Sequence, residues 1–318
     1  MSISYGNKII LAPMVRVGTL PMRLLALEFG ADLVYSPEIV DKRIIASERR
    51  VNKATGIIEY IDEKNSINFR THPSEKCRLI FQIGTSDPEL ALQAALKVKE
   101  DVSGIDVNCG CPKKFSIQGG MGAALLTDPD KLKAILTNLV ENCGLPVTCK
   151  IRMLETAEET IKLCKMIEST GIKALAIHCR TKNERPSDKG HWEIFKPIVE
   201  NVKSIPVIAN GDIFDRSDIQ KVKELSAVSS IMIARGAQSN VSIFCNEGLL
   251  PKREIAIMYI KKAINIHNNY ANTKYTLMQI YADSVKDNEY HALVRAKSYE
   301  DLCEIYSLQS YLKEHKLR

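Results

Sequence analysis

Hydrophobic and polar positions along the first 250 residues alternate in blocks. Short, nearly unbroken apolar or β-branched runs recur at Lys8–Val15, Ala31–Pro37, Arg78–Gly84, Gly104–Gly110, Pro146–Arg152, Ala174–Arg180, Pro206–Asp212 and Ser230–Gly236. Continuous apolar character over so few residues predicts strands covered on both faces, as in a parallel sheet. Amphipathic stretches of helical length lie between them. Pro88–Asp101 follows Ser86-Asp87, Pro129–Asn142 follows Thr127-Asp128, and Ala157–Thr170 follows Thr156, so each opens on a residue able to cap a helix. Gly30, Gly144 and Gly171 stand where those helices must stop. Eight strand-then-helix units in about 240 residues predict an α/β fold, a (β/α)8 TIM barrel. A doubly wound sheet is the alternative, but the chain has no strand–GxGxxG–helix unit.

Two stretches depart from the block pattern. Residues 38–77 form a long insertion between the second and third strands, with a candidate hairpin (Gly56–Ile61 and Ser66–Arg70) over the barrel mouth. From Pro251 the strands cease and helical periodicity takes over. The organisation expected is a catalytic barrel over residues 1–250 and a small all-α domain over 251–318.

Composition narrows the class. With 45% hydrophobic and 26% charged residues in 318, the chain is neither disordered, collagenous nor coiled-coil. No apolar run approaches the roughly 20 residues that span a bilayer, and nothing near the start resembles a targeting segment. A cytoplasmic or nuclear protein without membrane association is expected. The nine cysteines are odd in number and dispersed, which suits reduced thiols. No metal site is expected, because Cys109 and Cys111 lack a second pair at ligand spacing. The net charge of +6 is mild, but residues 251–318 hold 11 Lys/Arg against 8 Asp/Glu and eight of the eleven tyrosines. Basic residues interleaved with aromatics can bind nucleic acid through phosphate contact and base stacking. The same tyrosines would equally serve as core and rim of a helical bundle.

In a TIM barrel the chemistry sits at the carboxyl ends of the strands. The polar residues there are Pro13-Met14-Val15 on the first strand, Glu38, Gln82, then Asp106, Asn108 and Cys111. Lys150 and Arg152, His178 and Arg180, Asn210-Gly211-Asp212 and Ala234-Arg235-Gly236 follow on the later strands. Each has a plain structural reading. Lys150 could pair with Glu38 or Asp106, His178 could be a satisfied core histidine, and Cys111 could pack as a small hydrophobe. Together they are costly to bury without a partner, and a polar, partly planar cofactor would satisfy them at once. Gly211, Gly236 and Arg235, with a short helix at Asn240–Phe244, stand where such barrels build a phosphate site, although tight turns alone would explain both glycines.

Asp106-Val-Asn-Cys-Gly-Cys-Pro112 followed by Gly119-Gly-Met-Gly-Ala-Ala-Leu-Leu126 resembles the signature of the tRNA-dihydrouridine synthases. Leu11-Ala-Pro-Met-Val15, Lys150-Ile-Arg152, His178-Cys-Arg180, Asn210-Gly-Asp212 and Ala234-Arg235-Gly236 follow in the order of that family, so the likeness runs over residues 8–318. Ala12-Pro-Met-Val-Arg-Val-Gly-Thr-Leu-Pro-Met-Arg-Leu-Leu-Ala26 is most similar to the eukaryotic branch that modifies uridine 20 of the D-loop. The resemblance implies an FMN-bound barrel, a helical tRNA-binding domain and NADPH as reductant. It implies FMN contacts at Pro13, Met14, Val15, Gln82, Lys150, His178, Asn210, Gly211, Asp212, Ala234 and Arg235. Cys111 is implied as proton donor to C5 of the uracil, and Asn108 and Arg180 as substrate contacts. His178 is left open between cofactor and uracil. The target base must leave its stack to be reached. Cys109 and Cys179 replace residues that are usually not thiols in the relatives, which places a second thiol near the mouth. Larger eukaryotic members append a double-stranded-RNA-binding domain that is not found here, so grip and position choice are expected from barrel and helices. No dinucleotide fingerprint places NADPH, and no motif speaks to the oligomeric state. Two other functions fit the residues: an FMN barrel reducing a free pyrimidine or other small molecule, and a tRNA-binding protein without catalysis.

Overall fold

A computed structural model describes residues 3–316. Twelve strands occur in it: β1 (Ile9–Leu11), β2 (Leu33–Tyr35), β3 (Ile39–Val40), β4 (Glu48–Val51), β5 (Ile58–Ile61), β6 (Ile67–Thr71), β7 (Leu79–Gly84), β8 (Gly104–Cys109), β9 (Val147–Arg152), β10 (Ala174–His178), β11 (Val207–Asn210) and β12 (Ser230–Ile233). The sheet order β2-β1-β12-β11-β10-β9-β8-β7, closed by pairing of β2 with β7, is an eight-stranded parallel TIM barrel. β3 prolongs the line of β2 along β7, pairing Ile39 with Ile83 and Val40 with Gly84.

Period-2 alternation sorts the side chains of each strand. Ile10, Leu33, Tyr35, Ile80, Ala174, Ala176, Ile208 and Met232 meet in one cluster that fills the barrel. Their neighbours Leu11, Val34, Leu79, Phe81, Leu175, Ile177 and Ile231 face outward into a larger cluster shared with the surrounding helices. Continuing the inward parity up each strand gives Gln82, Asp106, Asn108, Lys150, Arg152, His178 and Asn210. The lower barrel is therefore apolar and its upper layer polar.

Several strands are shorter than the sequence pattern predicts. β1 stops at Leu11 and Pro13-Met14-Val15 enters a turn in which the Gly18 N–H donates to the Met14 carbonyl. β12 stops at Ile233, because the chain turns at once into a short helix, Arg235–Ser239. That helix, rather than the 3-10 turn Val241–Phe244, opens next to the mouth. The expected hairpin in the insertion is present and larger: β4 joins β5 and β6 in a three-stranded antiparallel sheet. Glu48-Arg-Arg-Val carries too little apolar character to announce a strand; β4 is exposed along its length.

After Pro251 the described chain is helical, with helices Lys252–Asn265, Tyr270–Ile280, Asn288–Arg295, Tyr299–Ile305 and Gln309–Lys316. Tyr259, Tyr281 and Tyr306 are buried in this region, and Tyr270, Tyr275, Tyr290, Tyr299 and Tyr311 pack against its core. Packing is thus what the tyrosines do. The helix Tyr270–Ile280 also reaches the barrel mouth: Asn272 Nδ2 donates to the Arg16 carbonyl at 2.7 Å, and the Arg16 guanidinium lies 3.7 Å from the centre of the Tyr275 ring. No helix among the described residues is long and apolar enough to cross a membrane.

Candidate active site

The strand register sets the levels of the upper layer. Gln82 stands beside Asp106, Asn108 beside Lys150, Arg152 beside His178, and His178 beside Asn210. Above them opens a cleft of about 230 Å³ whose wall includes Pro13, Lys150, His178, Arg180, Asn210, Gly211, Asp212, Ala234 and Arg235. Nine of the fourteen residues implied as cofactor, substrate or proton-donor contacts thus line one cavity, together with Arg152 and Phe214. The other five lie around it. Met14 and Val15 follow Pro13 in the first loop, with Val15 60% exposed. Gln82 is buried and donates to Asp106 Oδ2 at 2.8 Å. Asn108 and Cys111 stand at the end of β8 and in the loop beyond it.

Each titratable group is set by its surroundings. Burial pushes the Asp106 carboxyl up to about 6, against the hydrogen bonds from Thr148 and Gln82 and the charge of Lys150. Burial, reinforced by Arg152, brings the Lys150 ammonium down to about 8, and Asp106 opposes that shift without an ion pair. Lys150 therefore keeps its charge at neutral pH while sitting poised to lose it. Burial and the cations Lys150, Arg152, Arg180 and Arg235 drive His178 down to about 2. His178 is a neutral imidazole, able to give one hydrogen bond and accept another.

That shift has a measurable consequence. Below about pH 6.5 the unfolded chain protonates this histidine and the folded chain does not, so stability falls as the pH falls. Between pH 6 and 5 a His178→Asn variant is expected to lose less stability than the parent, by about 1 kcal/mol, in urea titrations at the two pH values. Equal losses would show that the imidazole protonates normally in the folded state.

Arg180 is 1% exposed, its guanidinium donating to Asp212 Oδ1 and Oδ2 at 2.7 and 2.6 Å and to the Asp188 carbonyl. Arg235 also donates to Asp212 and to the Pro186 carbonyl, and the Gly190 N–H completes the set at 2.7 Å. Burial alone would raise the Asp212 carboxyl, but Arg180, Gly190 and Arg235 hold it below the usual carboxylate range. Asp212 is the hub that orients two cations at the end of the cleft, and Arg180 is built into its floor. Gly211 has φ +128°, and a Cβ there would lie 2.5 Å from Cys179 Sγ and 3.1 Å from His178, so only glycine lets the backbone pass so close to the imidazole. This network was not legible in the sequence, which placed the residues at one mouth without their pairing.

Cys111 is held from two sides. Its N–H donates to Asn108 Oδ1 at 3.2 Å, and its carbonyl accepts from the Ala123 N–H at 2.9 Å. The second bond folds the glycine loop back under the cysteine. Gly122, at φ +58°, makes that possible, since a Cβ would come within 2.7 Å of the Cys111 carbonyl. Burial raises the Cys111 thiol above its ordinary value and the charge of Glu38 adds to it, against the Lys113 N–H and Ser116. The group is a thiol at neutral pH, close enough to Lys150 and Arg152 to be felt by both. Such a constellation offers a proton next to a wall of cations and a neutral imidazole.

The family model for dihydrouridine synthase (Dus) matches residues 10–301. The chain belongs to the dihydrouridine synthase family. It is 44% identical, over 96% of its length, to the tRNA-dihydrouridine(20) synthase [NAD(P)+] of Schizosaccharomyces pombe, and it spans 66% of that relative. It is 41% identical, over 94% of its length, to the enzyme of the same name from Saccharomyces cerevisiae, spanning 83% of it. Among solved structures, a 2-naphthoyl-CoA reductase complex superposes with a TM-score of 0.53 at 13% identity, covering 91% of this chain and 58% of that one, a likeness of fold alone. In this member of the family the motif cysteine, Cys111, follows β8, whose neighbour β9 supplies Lys150 and Arg152 to the cleft wall.

Proposed function

We propose that the protein reduces the C5=C6 bond of a D-loop uridine in tRNA, at position 20, using FMN held in the barrel cleft and NADPH as reductant. The observation that carries this reading is Cys111, held as a thiol on the loop after β8, beside a cleft lined by Lys150 and His178. The residues fit FMN. Gly211 lines the cleft with bare backbone, since Cys179 and His178 leave no room for a Cβ there, and Arg235 with the adjoining helix start suits a phosphate. The cation Lys150 and neutral His178 suit a polar heterocycle that carries negative charge when reduced. When bound, FMN supplies a hydride to C6 of the uracil.

The chain's own residues do the rest. Cys111 gives its Sγ proton to C5, and a raised pKa is what that role needs, because a thiolate has no proton to give. Asn108 fixes the Cys111 backbone through its Oδ1 and turns the rest of its amide toward Glu38, which places it beside the proton donor. The helices after Pro251, pinned to the first barrel loop through Asn272 and Tyr275, stand next to the mouth. Their exposed cations Lys286, Arg295, Lys297 and Lys313 contact the RNA backbone, while the tyrosines stay committed to packing.

Mass spectrometry of unmodified tRNA after incubation with the FMN-loaded protein and NADPH tests the reading. The expected result is a gain of two hydrogens on one D-loop uridine. A protein whose flavin NADPH reduces, but which leaves tRNA unchanged and reduces a free pyrimidine, would instead be a small-molecule reductase. A protein that binds tRNA and takes up no flavin would be a binding protein.

A further inference from the structure

Glu38 is a strand-end carboxylate outside both the cleft wall and the Asp212 hub and, unlike Asp106, is not held by Gln82 and Thr148. It sits between β2 and β3, where the chain crosses the end of β7. Its carboxyl group lies against Gly84, where a Cβ would come within 2.5 Å of Oε1, so a larger residue there would push the carboxyl group aside. The side chains of Asn108 and Cys111 face the same carboxyl group. They approach without closing on Oε1, which is buried and makes no hydrogen bond of ordinary length among the described residues. On its other side Glu38 lines a second pocket of about 570 Å³, between the first barrel loop, the insertion sheet and the helix Tyr270–Ile280. Exposed Val15 and Ile67 on the rim of that pocket mark it as open to water.

We propose that Glu38 returns a proton to Cys111 after each turnover, relaying it from water in the second pocket. The proposal rests on the reading of Cys111 as proton donor. Once C5 of the uracil has taken the Sγ proton, a thiolate faces Glu38. A thiolate beside the carboxylate raises the affinity of Glu38 for a proton, which it takes from water in the second pocket, releasing hydroxide to solvent. Its O–H bond then breaks as the S–H bond forms, which restores the thiol and the carboxylate. No electrons move in this step, and its net cost is one proton drawn from solvent per turnover. Burial already raises the affinity of Glu38 for a proton, against the hydrogen-bonding pull of Asn108 and Cys111.

The surrounding charges leave the relay to Glu38. Lys113, Lys150 and Arg152 act on Cys111. Of these, Lys113 precedes the loop helix Lys114–Gln118 and the other two belong to β9. All three favour the thiolate and would slow its recovery. Arg16, Arg70 and His267 line the pocket with Glu38. Arg70 is bound to Glu59, and Arg16 is stacked on Tyr275. His267 belongs to the helical region, and Arg23, which also lines the pocket, is bound to Glu75.

Glu38→Gln keeps the shape of the side chain and removes its acid. The experiment uses the FMN-loaded full chain, NADPH and unmodified tRNA, with wild type and Cys111→Ala in parallel. In Glu38→Gln the first turnover of pre-reduced protein is expected to stay within about twofold of wild type, while steady-state dihydrouridine formation at pH 8 falls about tenfold. The deficit shrinks toward pH 6, where hydronium reaches the thiolate unaided, and Glu38→Asp restores part of the rate. A wild-type steady-state rate and pH profile in Glu38→Gln would overturn the relay. So would a first turnover as damaged as the steady state in both variants at full flavin content, which would make Glu38 a structural prop. Wild-type protein that forms no dihydrouridine, or Cys111→Ala that forms as much as wild type, would instead overturn the parent reading and the relay with it.

Discussion

Cys111→Ala is expected to lower dihydrouridine formation by about 10²- to 10⁴-fold, the range in which positioned proton donors act, while FMN binding and its reduction by NADPH stay unchanged. The cysteine stands outside the cleft wall, so alanine removes the proton and little else. Two other thiols near the mouth, Cys109 and Cys179, cannot take its place. They fall on the outward parity of β8 and just past β10, and both are buried in the outer core. Cys109 contacts Cys149 Sγ at 3.5 Å. Burial pushes the Cys179 thiol up to about 12, and its sulfur lies beneath Gly190 and Gly211 rather than in the cleft. Single-turnover mass spectrometry of tRNA, beside the absorbance of the bound flavin, separates the two effects. Cys111→Ala that retains more than a third of the wild-type rate, at full flavin content, would mean that water or another group protonates C5.

The same parity explains how much of the site could be read from the chain. Alternation along a strand is a local property, so Gln82, Asn108, Lys150, His178 and Asn210 could be placed at one mouth as soon as eight strands were counted. Cys109 and Cys179 could have been placed outside it by the same count, since each lies one residue from an inward position. What local pattern does not carry is the pairing of side chains from distant strands. Lys150 reads as half of an ion pair with Glu38 or Asp106, and the structure shows neither, because Asp106 is occupied by Gln82 and Thr148 and Glu38 is turned toward Cys111 and Asn108. The pocket behind Glu38 was hidden for a related reason. Its walls come from the first loop, the insertion and the helices after Pro251, three segments whose approach depends on contacts such as Asn272 with Arg16. The basic, tyrosine-rich segment shows the converse. Composition suggests an aromatic RNA surface, but tyrosines at helical spacing found the core first, as the burial of Tyr259, Tyr281 and Tyr306 shows.

Glu75→Ala is expected to destabilise the fold by about 3–5 kcal/mol, the cost of stranding a buried charge. Arg23 and Glu75 are 1% and 0% exposed. The guanidinium donates from Nε to Glu75 Oε2 at 2.9 Å and from Nη2 to Oε1 at 2.7 Å. It also donates to the Gly18 carbonyl at 2.8 Å and the Arg70 carbonyl at 2.7 Å, while Thr71 Oγ1 donates to Glu75 Oε1 at 2.8 Å. One ion pair thus clips the first barrel loop, the end of the insertion sheet and the 3-10 turn Pro73–Arg78 that leads into β7. Without Glu75 the buried guanidinium loses its counter-charge and keeps only the Gly18 and Arg70 carbonyls as partners. A typical domain has about 5–15 kcal/mol in all, so the loss is a large share of it. Equilibrium urea unfolding measures it as a lower midpoint at unchanged slope. The pair itself need not be stabilising: Arg23→Met combined with Glu75→Leu, which removes both charges and keeps the volume, is expected to recover most of the loss. A Glu75→Ala cost below about 1 kcal/mol would show that the pair is solvated in the native ensemble. A double variant as unstable as the single one would show instead that its hydrogen bonds to Gly18 and Arg70, rather than its charge balance, hold the insertion over the mouth.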